Sequence, residues 1–327
     1  MNSMRVVALE EHFLVPELID REFRAIGDGI NWLSPELSDA LSDLDQKRIA
    51  DMDENGITQQ IISTSMPGAD LLDGSAAIRF AQSTNDRLAE AVRQNPARFG
   101  GFAHLPMRAP EAAADELERA VRQLDFCGAM VNGLTQGRFL DHSSFTPILE
   151  RASYLKVPLY LHPNVPPQSV NDAYFSGLPG KSGPILAAAG FGWHSETAIH
   201  VLRLVLAGVF ERFDQLTLII GHMGEMLPFM LARADSALSR HGGLSAPVSE
   251  TILKHVYITT SGFFTTPPFL NALMTFGADR IMFSVDYPYS ANVSGADFLK
   301  TLPVSPADLR KIAFENADRV LGLSSYS

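Results

Sequence analysis

The chain has one cysteine, Cys127, in 327 residues. An internal disulfide is therefore excluded, and so is a metal site built from several thiolates. The lone thiol lies in the apolar run "FCGAMVNG" and reads as a buried structural residue. Positive charge is also scarce: 26 Lys and Arg stand against 37 Asp and Glu, a formal net charge of -11. That balance argues against nucleic acid or an anionic membrane as partner. It leaves an anionic small molecule open, because a local metal ion outweighs the mean field. No apolar run has the length to cross a bilayer, and no basic stretch followed by an apolar one opens the sequence. The expectation is a soluble cytoplasmic protein. Internal repeats, low-complexity tracts and blocks of like charge are missing as well.

What is present is a rhythm. Eight short β-rich apolar runs recur: "VVALE" (6–10), "ITQQIISTS" (57–65), "FGGFAHLP" (99–106), "FCGAMVNG" (126–133), "VPLYLHP" (157–163), "LTLIIGH" (216–222), "VYITTSG" (256–262) and "RIMFSVDYP" (280–288). Between them lie segments such as "EAAADELERAVRQL" and "SETAIHVLRLVLAGVFERF", whose apolar residues recur three and four apart, the spacing of amphipathic helices. In the last such segment Ser305 is a candidate N-cap and Gly322 a stop. Leu216 to Ile220 is apolar on both faces, as in a strand of a parallel sheet. Eight such strands with intervening helices predict an α/β fold, a (β/α)8 TIM barrel in one domain spanning residues 1–327. Two stretches break the rhythm, Arg21 to Asp39 and Asn164 to His194. They are expected as insertions after strands 1 and 5, over the C-terminal face where such barrels place their sites.

The polar residues at the C-terminal strand ends are then the ones to weigh. Strand 1 ends in Glu10 and His12, which share a face because side chains alternate along a strand. Strand 5 ends in His162, strand 6 in His222 and strand 8 in Asp286. Each has a neutral reading. His162 before Pro163 suits a hydrogen-bonded loop histidine, Asp286 before Tyr287-Pro288 suits a turn, and His222 suits a helix start. Glu11 points away from the others and reads as a surface or salt-bridged carboxylate. Together, Glu10, His12, His162 and Asp286 make a complete ligand set for one divalent ion, Zn2+ or Mn2+. His104 is left open between pocket and core, His194 is a weak substrate-contact candidate, and His142, His200, His241 and His255 are read as structural.

The motifs "ALEEHF", "LYLHP", "GHMGE", "TTSG" and "FSVDYP", in this order across nearly the whole chain, resemble the amidohydrolase superfamily. More narrowly they resemble its branch of non-oxidative aromatic acid decarboxylases. Many members carry His-x-His on strand 1; Glu-x-His, as here, is similar to the decarboxylases of γ-resorcylate and 5-carboxyvanillate. Binuclear hydrolases of the superfamily place a carboxylated lysine on strand 4, where this chain has "GAMVNG" with Asn132, so one metal is implied. The resemblance implies a hydroxybenzoate-type acid as substrate and CO2 as product. It implies Asp286 as proton donor to the ring carbon, His222 as the group that orients the substrate oxygens, and Glu225 as its tautomer-fixing partner. Arg233 is implied as a supporting residue, and Phe13, Phe191 and Tyr289 are candidate aromatic walls. A homodimer or homotetramer is implied too. The same ligands would serve a hydrolase of a lactone, ester or amide, with Asp286 as base to a metal-bound water. A barrel that binds without catalysing is the third reading.

Overall fold

The computed structural model describes residues 4–15 and 34–323. Eight parallel strands follow one another in sequence order around a single sheet. They are β1 Val7–Phe13, β2 Gln59–Thr64, β3 Phe99–His104, β4 Gly128–Asn132, β5 Leu159–His162, β6 Leu218–Ile220, β7 Val256–Thr259 and β8 Ile281–Met282. The main helices are α1 Pro35–Ser42, α2 Gln46–Glu54, α3 Gly74–Gln94, α4 Pro110–Gln123, α5 Thr146–Leu155 and α6 Gly192–Leu206. After these come α7 Leu227–Leu238, α8 Val248–His255, α9 Thr266–Phe276, α10 Asn292–Lys300, α11 Pro306–Arg310 and α12 Asn316–Leu321. This is the (β/α)8 barrel that the alternation of apolar runs and helical spacing predicts.

Two apolar layers hold it together. The inner one takes residues from every strand: Val7 and Leu9, Ile61, Phe102, Met130, Tyr160, Ile219, Tyr257 and Met282. Ala317 and Leu321 of α12 join this inner layer, so the last helix plugs the barrel. Cys127 belongs to it too, and burial pushes its thiol up to about 12, which makes it inert at neutral pH. The outer layer packs the helices onto the strands, with Ala8, Ile62, Val131, Leu161, Ile220 and Ile258 facing outward. Ser305 caps α11, its hydroxyl accepting from the Asp308 amide at 3.1 Å, and Gly322 ends α12 in the left-handed region at φ 63°.

The seam between β8 and β1 is built differently from the others. The ladder runs from β1 to β8 and the two end strands share no ladder among the described residues. β8 is short because the Phe283 amide turns away to the Ile312 carbonyl at 2.8 Å. One side-chain bond and one backbone bond close the gap instead. The Glu10 amide donates to Ser284 Oγ at 2.7 Å, and the His12 amide donates to the Tyr287 carbonyl at 2.6 Å.

Of the two expected insertions, residues 21–33 lie outside the described residues. Residues 35–39 are helical rather than aperiodic: Ser34 accepts from the Leu37 amide at 3.2 Å and Pro35 opens α1, a start signal that precedes too short a helix to show periodicity. The second stretch folds as short helical turns over 168–175 and 182–190, and its last residues begin α6.

Two buried histidines belong to the frame. His104 Nε2 accepts from the Ala69 amide at 2.8 Å, which settles the residue as a core acceptor, and His200 Nε2 accepts from the Leu140 amide at 2.8 Å. Burial holds both neutral, His104 down at about 4 and His200 at about 3. A folded-state pKa below the unfolded value of 6.5 means that their contribution is complete above pH 6.5 and is lost as the pH falls towards those values. In urea unfolding, His200→Gln keeps an acceptor at the Nε2 position but no titration. It is therefore expected to flatten the loss of stability between about pH 6.5 and 4; a pH profile parallel to that of the parent would contradict this.

Candidate active site

The site begins with a defect in β1. Its register against β2 slips between Ala8 and Glu11, so the strand holds one residue too many there. Val7 and Leu9 face the barrel interior while Ala8 faces outward; beyond the bulge Glu10 and His12 face inward, and Glu11 and Phe13 outward. The bulge thus re-aims two metal-competent side chains into the barrel mouth.

Glu10 is fully buried, and its two oxygens are treated differently. Oε2 accepts from the Tyr160 and Ser261 hydroxyls, which Thr259 Oγ1 links at 2.8 and 2.7 Å. Oε1 has no hydrogen-bond partner among the described residues, and neither has His12 Nε2. His162 donates Nδ1–H to the Pro163 carbonyl at 2.7 Å, and burial pushes its imidazole down to about 3. Its Nε2 therefore presents a bare lone pair, 3.3 Å from Glu10 Oε1. His12 Nε2 lies 3.2 Å from Asp286 Oδ1. Lone pairs that face one another at this range repel unless a cation lies between them. Donor atoms that share an ion at about 2.1 Å are themselves about 3.0–3.4 Å apart, the spacing seen here. One donor atom from each of Glu10, His12, His162 and Asp286 lies within 4.8 Å of the other three, so the residues present fit a single divalent ion. Gly221 is required beside them: a Cβ there would meet Glu10 Oε2 at 2.5 Å.

His222 and Glu225 stand on a single turn, His222–Glu225, whose backbone is left-handed. His222, Met223, Gly224, Glu225 and Met226 have φ between 50° and 84°, and Asp286 has φ 72°. Each non-glycine residue held there costs on the order of 1–2 kcal/mol, a strain characteristic of functional sites. His222 Nδ1 is 2.6 Å from Glu225 Oε1, and its Nε2 faces Glu10 Oε1 at 3.7 Å and Asp286 Oδ2 at 3.9 Å. Burial alone would depress His222, but Glu225, Glu10 and Asp286 outweigh it and raise its pKa. Burial likewise raises Asp286, and the adjacent imidazoles of His12 and His222 outweigh that and hold its carboxyl well below the usual range. Asp286 is thus a base at neutral pH.

Glu11 corrects the surface reading. It is fully buried, and it accepts from the Val285 and Tyr287 amides at 2.9 Å each and from Ser284 Oγ at 3.2 Å. It therefore clamps the backbone on both sides of Asp286. Burial pushes its carboxyl up to about 8 despite those amides. Arg48, also fully buried, braces the same corner: Nη2 donates to the His12 carbonyl at 2.6 Å, and the guanidinium lies 4.8 Å from the Tyr287 ring centroid.

Above the cluster is a cavity of about 400 Å3 lined by His162, His222, Asp286, Trp193, Phe263 and Tyr289, among others. Tyr289 packs edge-on to His12 with centroids 5.6 Å apart, and its hydroxyl bonds Ser65 Oγ at 2.6 Å. Three residues expected at the substrate lie elsewhere. Phe13 is buried in the outer layer, because alternation after the bulge turns it with Glu11. Phe191 is 49% exposed and does not line the cavity; Trp193, two residues on, does. Arg233 is exposed on α7 and is absent from the cavity lining. The supports of Glu10 went unread, though alternation could have found them: Tyr160 shares a face with His162, and Ser261 with Thr259.

The Amidohydrolase family profile matches residues 12–323. The γ-resorcylate decarboxylase of Polaromonas sp. strain JS666 is 38% identical, over 97% of this chain and 98% of that protein. Among solved structures, the dihydroxybenzoic acid decarboxylase of the same organism, with bound manganese and 2-nitroresorcinol, has TM-score 0.89 and 36% identity, over 98% of this chain and 97% of that one. The 5-carboxyvanillate decarboxylase of Novosphingobium aromaticivorans, complexed with manganese and 4-hydroxy-3-methoxy-5-nitrobenzoic acid, has TM-score 0.89 and 31% identity, over 98% and 96% of the two chains. A barrel with this strand-end cluster, matched over nearly its full length, belongs to the amidohydrolase family.

Proposed function

We propose that the chain is a metal-dependent carboxy-lyase that releases CO2 from a hydroxybenzoate-type aromatic acid. Glu10, His12, His162 and Asp286 would hold one divalent ion, manganese or zinc. The observation that carries the reading is the pair of buried, unpartnered atoms Glu10 Oε1 and His12 Nε2 beneath an aromatic-walled cavity. The manganese named with both solved decarboxylases supports the same ion here.

Bound there, the ion would supply positive charge that holds the substrate carboxylate and its ortho oxygen. The remaining chemistry falls to the chain. Asp286, ionised at rest, takes the proton of the ortho hydroxyl and returns it to the ring carbon that carries the carboxylate. A C–H bond forms, and that carbon becomes sp3. The C–C bond then breaks, its electron pair restores the aromatic ring, and CO2 leaves; the phenolate left behind takes a proton from solvent. His222 offers Nε2 to the substrate oxygens, with Nδ1 occupied by Glu225. Trp193, Phe263 and Tyr289 wall the ring and limit water. Phe13, Phe191 and Arg233 have no part in this proposal, since they lie outside the cavity.

A homodimer or homotetramer in the cytoplasm is part of the same proposal. Its support is an apolar face on α7 and α9, where Phe229 is 80% and Met274 87% exposed. Among the described residues no helix is long and apolar enough to cross a membrane.

The reaction is tested by following CO2 release from 2,6-dihydroxybenzoate and 5-carboxyvanillate, alongside a panel of lactones and esters. Release of CO2 is expected; activity on the lactones and esters alone would overturn the proposal. Asp286→Asn should lower kcat by about 10^2–10^4-fold with the melting temperature retained, and turnover at the parent rate would remove Asp286 from the mechanism.

A further inference from the structure

The reaction as proposed leaves one buried imidazole without a task. His194 opens α6 at the edge of the 164–194 insertion, 7% exposed and facing the cavity. Its Nδ1 is 2.6 Å from Glu225 Oε2, while the other oxygen of that carboxylate is 2.6 Å from His222 Nδ1. One fully enclosed carboxylate therefore lies between two imidazoles, whose ring centroids are 4.7 Å apart. Phe263 packs edge-on against both, at 5.5 and 5.8 Å. On its far side His194 Nε2 accepts from the Trp193 indole N–H at 3.0 Å, so the ring is held at both ends.

The chemistry of this arrangement is constrained. An ionised carboxylate only accepts, so each imidazole must present Nδ1–H to Glu225. Burial would raise the Glu225 carboxyl, but the two histidines outweigh it and hold it below its ordinary value. Without His194, Oε2 would be a buried acceptor with nothing to accept. The carboxylate would then take a proton or rotate, and either change releases the His222 ring from the orientation in which its Nε2 faces the cavity.

We infer that His194 is a positioning residue for His222: by occupying the second oxygen of Glu225 it keeps that carboxylate ionised and aimed, and so fixes which His222 nitrogen faces the substrate. The catalytic consequence rests on the decarboxylase reading; the positioning itself does not. The insertion after β5 thereby contributes a member to the site as well as a cover.

Two substitutions of similar polarity separate the ring's two nitrogens. His194→Asn places an amide nitrogen near Nδ1, towards Glu225, whereas His194→Gln places its amide oxygen near Nε2, towards the Trp193 indole N–H, and leaves Glu225 Oε2 unpaired. With metal content and melting temperature matched, the Asn variant should turn over near the parent rate. The Gln variant should lose about 10- to 100-fold in kcat at unchanged KM. In the resting enzyme, 15N-histidine NMR should show the low-field Nδ1–H resonance of His222 kept in the Asn variant and lost or shifted in the Gln variant. Equal kcat in the two variants, or an effect on KM alone, would overturn the inference. So would an unchanged His222 resonance in both, whatever the turnover. If the parent enzyme releases no CO2 but the resonances divide as described, the positioning stands and the proposed reaction falls.

Discussion

Glu10 and Glu11 are neighbours in the chain, both fully buried, and turned to opposite sides of β1. A carboxylate buried without partners costs on the order of several kcal/mol, so the surrounding structure has to answer twice. Outward, the answer is complete: two backbone amides and a serine hydroxyl satisfy Glu11, with Arg48 nearby. Inward, it is deliberately partial. Tyr160 and Ser261 satisfy one oxygen of Glu10 and leave the other bare, beside the lone pairs of two histidines. The barrel seam depends on the first answer and the cation site on the second.

The two answers are coupled through Asp286. Because β8 and β1 share no ladder among the described residues, Glu11 does the work of one, and its bonds fall on either side of Asp286. That clamp holds Asp286 in a left-handed conformation that the chain would otherwise avoid. The left-handed turn from His222 to Met226 is held in a similar way, with Gly224 tied to the Gly221 carbonyl at 2.8 Å and Gly221 pressed against Glu10. Strain of roughly 1–2 kcal/mol per residue at five non-glycine positions is sustained by the packed barrel beneath. The reactive groups therefore sit on constrained backbone, which suits a reaction that depends on proton placement.

Much of this was legible in the sequence. The eight apolar runs coincide with the eight strands, because strands buried on both faces leave near-continuous apolar stretches. The inward polar residues stood out because strand ends are where a barrel exposes chemistry. What escaped reading has physical causes. Alternation assigned Glu11 correctly to the side away from the site, but that side is the helix-covered wall of the barrel and not solvent, so Glu11 is buried; the same alternation, not applied to Phe13, puts that ring in the core and not at the substrate, where it was expected. The bulge leaves no mark in the composition of "VVALEEHF". Arg48 is one of several charged residues on α2, and a cationic side chain carries no sign of its burial. Trp193 and His194 lie in a Pro- and Gly-rich stretch without periodicity, where spacing cannot tell which aromatic faces inward; Phe191 was the wrong choice for that reason.

The central claim is that four side chains from β1, β5 and the segment after β8 converge on one cation. Crystals soaked in manganese and measured at its absorption edge test it most directly. The account predicts one strong anomalous peak per chain, within bonding distance of Glu10 Oε1, His12 Nε2, His162 Nε2 and the Asp286 carboxylate. A peak between His194, His222 and Glu225 instead, or none at the barrel mouth, would contradict it.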